Sequence, residues 1–194
     1  MQKLMVFTNK NWLFSFLLFA GFMIISCGSC SKGKTYPRQT ETPEFYFGAD
    51  LSAVNMVEDY GATYKDSNLI RDPFVIFKNH GCNVVRVRLF HDPEAAGGYN
   101  QYNKPGYCGL ADVAKTIGRA RQAGMKVCLD LHYSDTWADP AHQIIPLVWQ
   151  GLSLNVLSDS VYHYTASVLD YLVNKNLTPE MIQIGNEIDP GILL

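Results

Sequence analysis

Asn83-Val84-Val85-Arg86-Val87-Arg88-Leu89-Phe90 is the stretch from which the fold is read. Val85, Val87 and Leu89 alternate with Arg86 and Arg88, and successive side chains of a β-strand point to opposite faces. One face is therefore aliphatic and the other carries two cations. Three more strand-like runs, at 45–52, 126–133 and 181–188, repeat the pattern. The first sets Phe45, Phe47, Ala49 and Leu51 against Tyr46, Gly48, Asp50 and Ser52. In the third, Val127, Leu129 and Leu131 oppose Cys128, Asp130 and His132. The fourth sets Ile182, Ile184 and Ile188 against Gln183, Gly185 and Glu187. In each, the second face turns polar towards the C-terminal end.

Helical segments separate these runs. Asp72-Pro73 offers an N-cap with proline in the first turn, and Gly81 suits the position after the helix end. A second helix runs from Leu110 to about Ala123 and stops at Gly124. A third begins near Asp159 and lines up Val161, Thr165, Val168, Leu169 and Leu172. Strand and helix in alternation imply right-handed βαβ units and a parallel sheet. An open sheet covered by helices on both faces favours apolar side chains on both. A barrel instead points one face of every strand into its lumen and gathers function at the C-terminal mouth. The fold class is α/β, a (β/α)8 TIM barrel of which the chain supplies about strands 1–4 and helices 1–3. A whole barrel of this kind takes about 250 residues, so the chain reads as an N-terminal half with two open sheet edges.

The chain has 194 residues, 47% of them hydrophobic and 18% charged, which fits a folded globular protein. Its formal net charge of −2 gives no basic surplus for a phosphate backbone, so nucleic acid is not expected as a partner. Lys3 and Lys10 are the only charges before Cys27, and residues 12–25 are apolar except for Ser15 and Gly21. That is short for a membrane span and matches the apolar region of a secretory signal. It ends in Ile24-Ile25-Ser26-Cys27, which resembles the lipobox of bacterial lipoproteins. Residues 1–26 are thus expected to be a lipoprotein signal peptide with Cys27 as lipidation site. Residues 27–43, rich in Gly, Ser, Lys, Thr and Pro, are expected to be a flexible tether. Residues 44–194 form the barrel portion. The protein would be exported and anchored by lipid to a bacterial membrane, at the cell surface or in the periplasm.

Asp50, Arg86, Arg88, Asp130, His132 and Glu187 all converge on the barrel mouth in this reading. Unpaired charges in a lumen are costly, so such a cluster is either a mutually paired network or a working site. Glu187 follows Asn186 at the end of strand four. A strand-end carboxyl beside an amide donor suits glycoside hydrolysis: the acid protonates the glycosidic oxygen while the amide holds a neighbouring hydroxyl. After strand three comes His132-Tyr133-Ser134-Asp135-Thr136-Trp137-Ala138-Asp139-Pro140, then Gln143, Pro146 and Trp149. The tryptophans offer faces for a pyranose ring, or plain packing, with carboxylates beside them for hydroxyls. His80, His91, His142 and His163 share no ligand spacing, so neither a metal site nor a cofactor is supported. Cys82 and Cys108 belong to opposite ends of the barrel, and buried free thiols are expected rather than a disulfide.

Gly48-Ala49-Asp50-Leu51-Ser52, the run 83–89, the block 132–140 and Gln183-Ile184-Gly185-Asn186-Glu187-Ile188 together resemble the glycoside hydrolase family 53 endo-β-1,4-galactanases. The resemblance covers about residues 44–194. It implies a retaining hydrolase acting on galactan or arabinogalactan, with Glu187 as acid/base and Asn186 as its amide partner. Asp50, Arg86, Arg88, His132, Trp137 and Asp139 would contact or frame the sugar. The nucleophile it implies is a Glu near the end of strand seven, without counterpart in this sequence. Any calcium loop of the family would lie beyond Leu194. The half chain alone would then be inactive and prone to association. Two other readings stay open: a barrel hydrolase of another β-glycan such as mannan or glucan, and a non-catalytic glycan-binding surface lipoprotein.

Overall fold

The computed structural model describes residues 45–100, 106–189 and 191–194. The signal peptide, the tether and the Cys27 lipidation site lie outside the described residues. The elements in chain order are β1 (Gly48–Asp50), α1 (Val54–Asp59), β2 (Lys65–Asp66), β3 (Leu69–Ile70), α2 (Pro73–Asn79) and β4 (Val84–Leu89). They continue with α3 (Leu110–Gln122), β5 (Lys126–Leu131), a 3-10 turn (Leu147–Trp149), α4 (Leu154–Asn174) and β6 (Met181–Ile184).

Four strands form one parallel sheet in the order β1-β4-β5-β6, the sequential order of a (β/α)8 barrel wall. Asp50 pairs with Arg86, which pairs with Cys128, which pairs with Met181. Arg88, Asp130 and Gln183 form the next row towards the mouth. On the opposite face, Val85, Val87, Leu89, Val127, Leu129 and Leu131 are all buried. Val113, Ile117 and Ala120 of α3, Phe74 of α2, and Val168 and Leu172 of α4 cover them. The two faces fall as the alternation predicts, because the register is straight from β1 through β6.

Local chemistry sets the helix ends. The Asp72 carboxylate accepts from the Phe74 amide at 2.7 Å with Pro73 in the first turn, and Gly81 leaves α2 at φ +95. Arg119 of α3 then joins three segments, donating to Glu58 at 2.6 Å, Asn55 at 2.8 Å and Asp72 at 2.8 Å. Its guanidinium also sits 4.6 Å from the centre of the Phe74 ring.

Several boundaries differ from expectation. Phe45 and Phe47 are exposed, at 82% and 50%, and β1 does not begin until Gly48. The Asn83 side chain takes the place of a ladder there, accepting from Phe47 N at 2.9 Å and donating to Phe45 O at 2.7 Å. The fourth parallel strand ends at Ile184, because Gly185 turns the chain at φ +75. The last helix starts at Leu154 rather than near Asp159. Its first turn carries the exposed Leu154 and Val156, so no buried stripe announces it. Helix α1 and the β2–β3 hairpin were not expected. Both are short, and α1 buries only Val54 and Asn55.

Leu129 is fully buried, whereas Ile184, with the same outward parity, is 54% exposed. Leu129→Ala should therefore lower unfolding free energy by about 3 kcal/mol, and Ile184→Ala by less than about 1 kcal/mol. Denaturant titration of the two variants against wild type measures both.

Candidate active site

The mouth is built around one guanidinium. Arg86 donates through Nη1 to Asp50 at 2.6 Å, through Nη2 to Asp130 at 2.6 Å and Asn186 at 2.8 Å, and through Nε to Gln183 at 3.0 Å. One side chain of β4 thus reaches β1, β5, β6 and the turn after β6. Arg88, one row higher, donates to the same Asp50 oxygen at 3.1 Å and lies 4.3 Å from the centre of the Trp137 ring. Two cations and two carboxylates close a paired network, as charge burial requires.

Burial alone would raise the Asp50 carboxyl. The hydroxyl and amide of Ser52, the Arg88 charge and the Arg86 hydrogen bond outweigh it, so the group is held below the ordinary carboxylate range. The Ser52 contacts measure 2.5 Å from Oγ and 3.0 Å from N, both to Asp50 Oδ1. Ser52 Oγ also accepts from Arg88 N at 2.8 Å, which ties β1 to β4 at the mouth.

Asp130 and His132 are buried side by side. His132 Nδ1 is 2.9 Å from Asp130 Oδ2, but off the line of a hydrogen bond. Both His132 ring nitrogens, Asp130 Oδ1 and Arg88 Nε are buried without a hydrogen-bond partner among the described residues. Trp137 stands edge-on over His132 at 5.9 Å between centroids and is 42% exposed. Trp137 is thus an exposed aromatic beside Arg88 and His132, a surface of the kind that stacks on a sugar ring.

Asn186 and Glu187 follow Gly185 in the turn after β6. Asn186 is buried; its Oδ1 accepts from Arg86, and its Nδ2 donates to Ala138 O at 2.7 Å. Among the described residues, the second N–H of that amide has no partner. Glu187 is exposed and adopts φ +48, a left-handed conformation uncommon for a residue with a Cβ. No described residue hydrogen-bonds to its carboxylate.

The structure thus gathers Asp50, Arg86, Arg88, Asp130, His132, Trp137 and Asn186 into one connected cluster, with Glu187 on its rim. Asp139 is engaged elsewhere: both carboxylate oxygens contact His142 Nδ1, at 2.8 and 2.9 Å, and Oδ1 also accepts from Ala141 N at 2.8 Å. Trp149 is buried against His91 and Tyr164, with centroids 4.4 and 5.7 Å away, so packing accounts for it. Cys82, Cys108 and Cys128 are free thiols. Burial and then the Asp112 charge push the Cys108 thiol up to about 12, which leaves it protonated and inert. Among the described residues no group of three His, Cys, Asp or Glu side chains is placed to hold a metal ion. Sequence reasoning gave Gln183 and Ser52 no role, although both stand on the polar parity of their strands.

The sequence profile of Glycosyl hydrolase family 53 matches residues 46–194. The chain belongs to that family. An arabinogalactan endo-beta-1,4-galactanase of Cellvibrio japonicus is 45% identical over 150 residues, 77% of this chain and 38% of that protein. An endo-beta-1,4-galactanase of Bacillus subtilis is 40% identical over 152 residues, 76% of this chain and 34% of that protein. Among solved structures, the Ignisphaera aggregans GH53 catalytic domain superposes with a TM-score of 0.67 at 36% identity, over 75% of this chain and 40% of that one. A fungal beta-1,4-galactanase does so with a TM-score of 0.68 at 36% identity, over 76% and 42%. The chain spans between about a third and two fifths of the length of these relatives. Its described sheet and helices are a partial (β/α)8 barrel.

A carboxyl held low in the fold adds stability above its unfolded pKa, and that stability is lost as pH falls through the folded value. Asp50→Asn should therefore destabilise the fold at neutral pH and flatten the acid-side decline below about pH 4. Urea unfolding of variant and wild type across that range tests both effects.

Proposed function

We propose that this protein is part of an endo-acting, retaining glycoside hydrolase that cleaves β-1,4-galactan, as found in the arabinogalactan side chains of pectin. The observation that carries the reading is the pair Asn186-Glu187, set on the rim of an arginine-centred mouth with Trp137 beside it. The galactanase names of its relatives support the same substrate class.

Glu187 donates the proton to the glycosidic oxygen as the bond breaks, and after the leaving sugar departs it takes a proton from the incoming water. Asn186, fixed through Arg86 and Ala138, turns its remaining N–H towards a hydroxyl of the sugar being cleaved. Trp137 stacks on a ring of the chain, while Asp50, Arg86, Arg88 and His132 frame the sugar. Asp139 acts at one remove, through the loop that carries Trp137. The second carboxylate of a retaining mechanism belongs on a seventh strand, which this sequence does not include.

In the complete enzyme, with the seventh-strand carboxylate present, Glu187→Gln should lower kcat/KM on polymeric galactan by about 100-fold or more. It should cost far less on an aryl galactoside whose leaving group needs no protonation. Measuring both substrates tests the assignment, and equal losses would refute it.

We further propose export and lipid attachment at Cys27, which would hold the enzyme at a bacterial membrane facing polymeric substrate. The support is the charged start, the apolar run and the Ile24-Ile25-Ser26-Cys27 motif. A single acyl chain holds weakly and several hold stably. Growth with labelled fatty acid should mark wild type and leave Cys27→Ala unmarked and released from membranes. Absence of label in wild type would end this reading.

A further inference from the structure

We infer that Gln143 is the positioning residue of Glu187: one buried amide, from the loop after β5, fixes the backbone that aims the proposed proton donor. Its Nε2 donates to Asn186 O at 2.8 Å and lies 3.3 Å from Glu187 O and 3.1 Å from Asp139 O. Only 7% of Gln143 is exposed. The inference rests on the assignment of Glu187 as proton donor.

The turn after β6 needs such a support. Gly185 and Glu187 both adopt positive φ, at +75 and +48. The first is free of steric cost for glycine, but the second is not for glutamate. This reversal takes the carbonyls of residues 186 and 187 off the sheet ladder, the last bond of which is Gly185 N to Leu131 O at 2.9 Å. A buried carbonyl without a donor is costly, and Gln143 supplies the N–H groups. An added Cβ at Gly185 would stand 2.6 Å from Ile188 Cγ2, so the turn has no room to relax on that side.

A second amide bond runs the other way between the same two segments, from Asn186 Nδ2 to Ala138 O. The loop carrying Trp137 and the turn carrying Glu187 are therefore stitched twice. Aromatic platform and acid are held at one spacing, as in-place catalysis requires. No described residue hydrogen-bonds to the Glu187 carboxylate, so the backbone beneath it sets where the side chain starts from. This gives a neutral, substrate-free residue a measurable part in the chemistry.

Gln143→Leu removes the donor. Gln143→Glu keeps the shape but sets a carboxylate against three carbonyl oxygens at neutral pH, and it carries the comparison if the leucine variant does not fold. Both are measured in the complete barrel, with the seventh-strand carboxylate present, beside its wild type and Glu187→Gln. Substrates are galactan and an aryl β-galactobioside with a dinitrophenol leaving group. A misaimed acid should lower kcat/KM on galactan by about 100-fold, with KM little changed. On the dinitrophenyl substrate kcat/KM should fall by less than about 3-fold, because cleavage there needs no proton.

A support of folding alone would lower both substrates equally, in proportion to the protein left folded, and that result overturns the inference. So does wild-type behaviour of both variants. If Glu187→Gln itself spares neither substrate preferentially, the acid assignment falls and takes the inference with it. If Glu187→Gln discriminates and the Gln143 variants do not, only the role of Gln143 is lost.

Discussion

Everything at the mouth of this half-barrel depends on where the Arg86 guanidinium is held. A cation facing the inside of a sheet must meet carboxylates or it would not stay there. Arg86 meets Asp50 and Asp130 at 2.6 Å each, then uses its remaining N–H groups on Gln183 and Asn186. A planar fork with fixed donor directions can satisfy partners on several strands at once, which a lysine ammonium could not do with the same geometry. The four parallel strands are thereby locked to one another at the end where chemistry is proposed. Removing the arginine would strand the fully buried Asp130 carboxylate beside an imidazole it does not properly bond.

Rigidity then passes outward from strands to loops. The loop after β5 could have been loose, yet Asp135 gathers it by accepting from Asp92 N at 3.0 Å and Leu147 N at 2.7 Å and contacting His91 at 3.2 Å. Burial would raise this carboxyl, but His91 and the two amides hold it low. It therefore stays charged and keeps its acceptors in use. A buried anion so employed organises backbone, and it explains why the block 132–140 is rich in polar residues without each of them meeting sugar. His91 in turn packs on Trp149 and Tyr164, so the polar and aromatic parts of the loop share one anchor.

The fold was legible because its main signal is short-range. Alternation along 84–89 and 126–131 needs only neighbouring residues, and the straight register then carries those faces across the whole sheet. Helix ends at Asp72, Gly81 and Gly124 were legible for the same reason. Strand ends were not. Phe45 and Phe47 have the right parity, but an Asn83 side chain replaces the ladder that would have extended β1. The composition of the site was readable from which residues shared the polar parity. Its wiring was not, since Arg86 finds partners between 36 and 100 residues away. Asp139 shows the difference: its place beside Trp137 was legible, but its pairing with a histidine three residues on was not.

Three kinds of carboxylate can be told apart here by their partners. Asp50 and Asp130 face guanidinium groups, and their oxygens balance charge within the wall. Asp135 and Asp139 accept from backbone amides and histidines and shape a loop. Glu187 does neither. It is exposed, no described residue bonds to its carboxylate, and its backbone lies in a conformation that costs energy. Structural duty would reward a relaxed backbone and a bonded carboxylate, and Glu187 has neither. A conformation kept against that cost is one that the surrounding structure enforces, here through Gly185 before it and Gln143 beneath it. Enforcement of this kind makes sense where a side chain must face an incoming partner, which is the role proposed for Glu187.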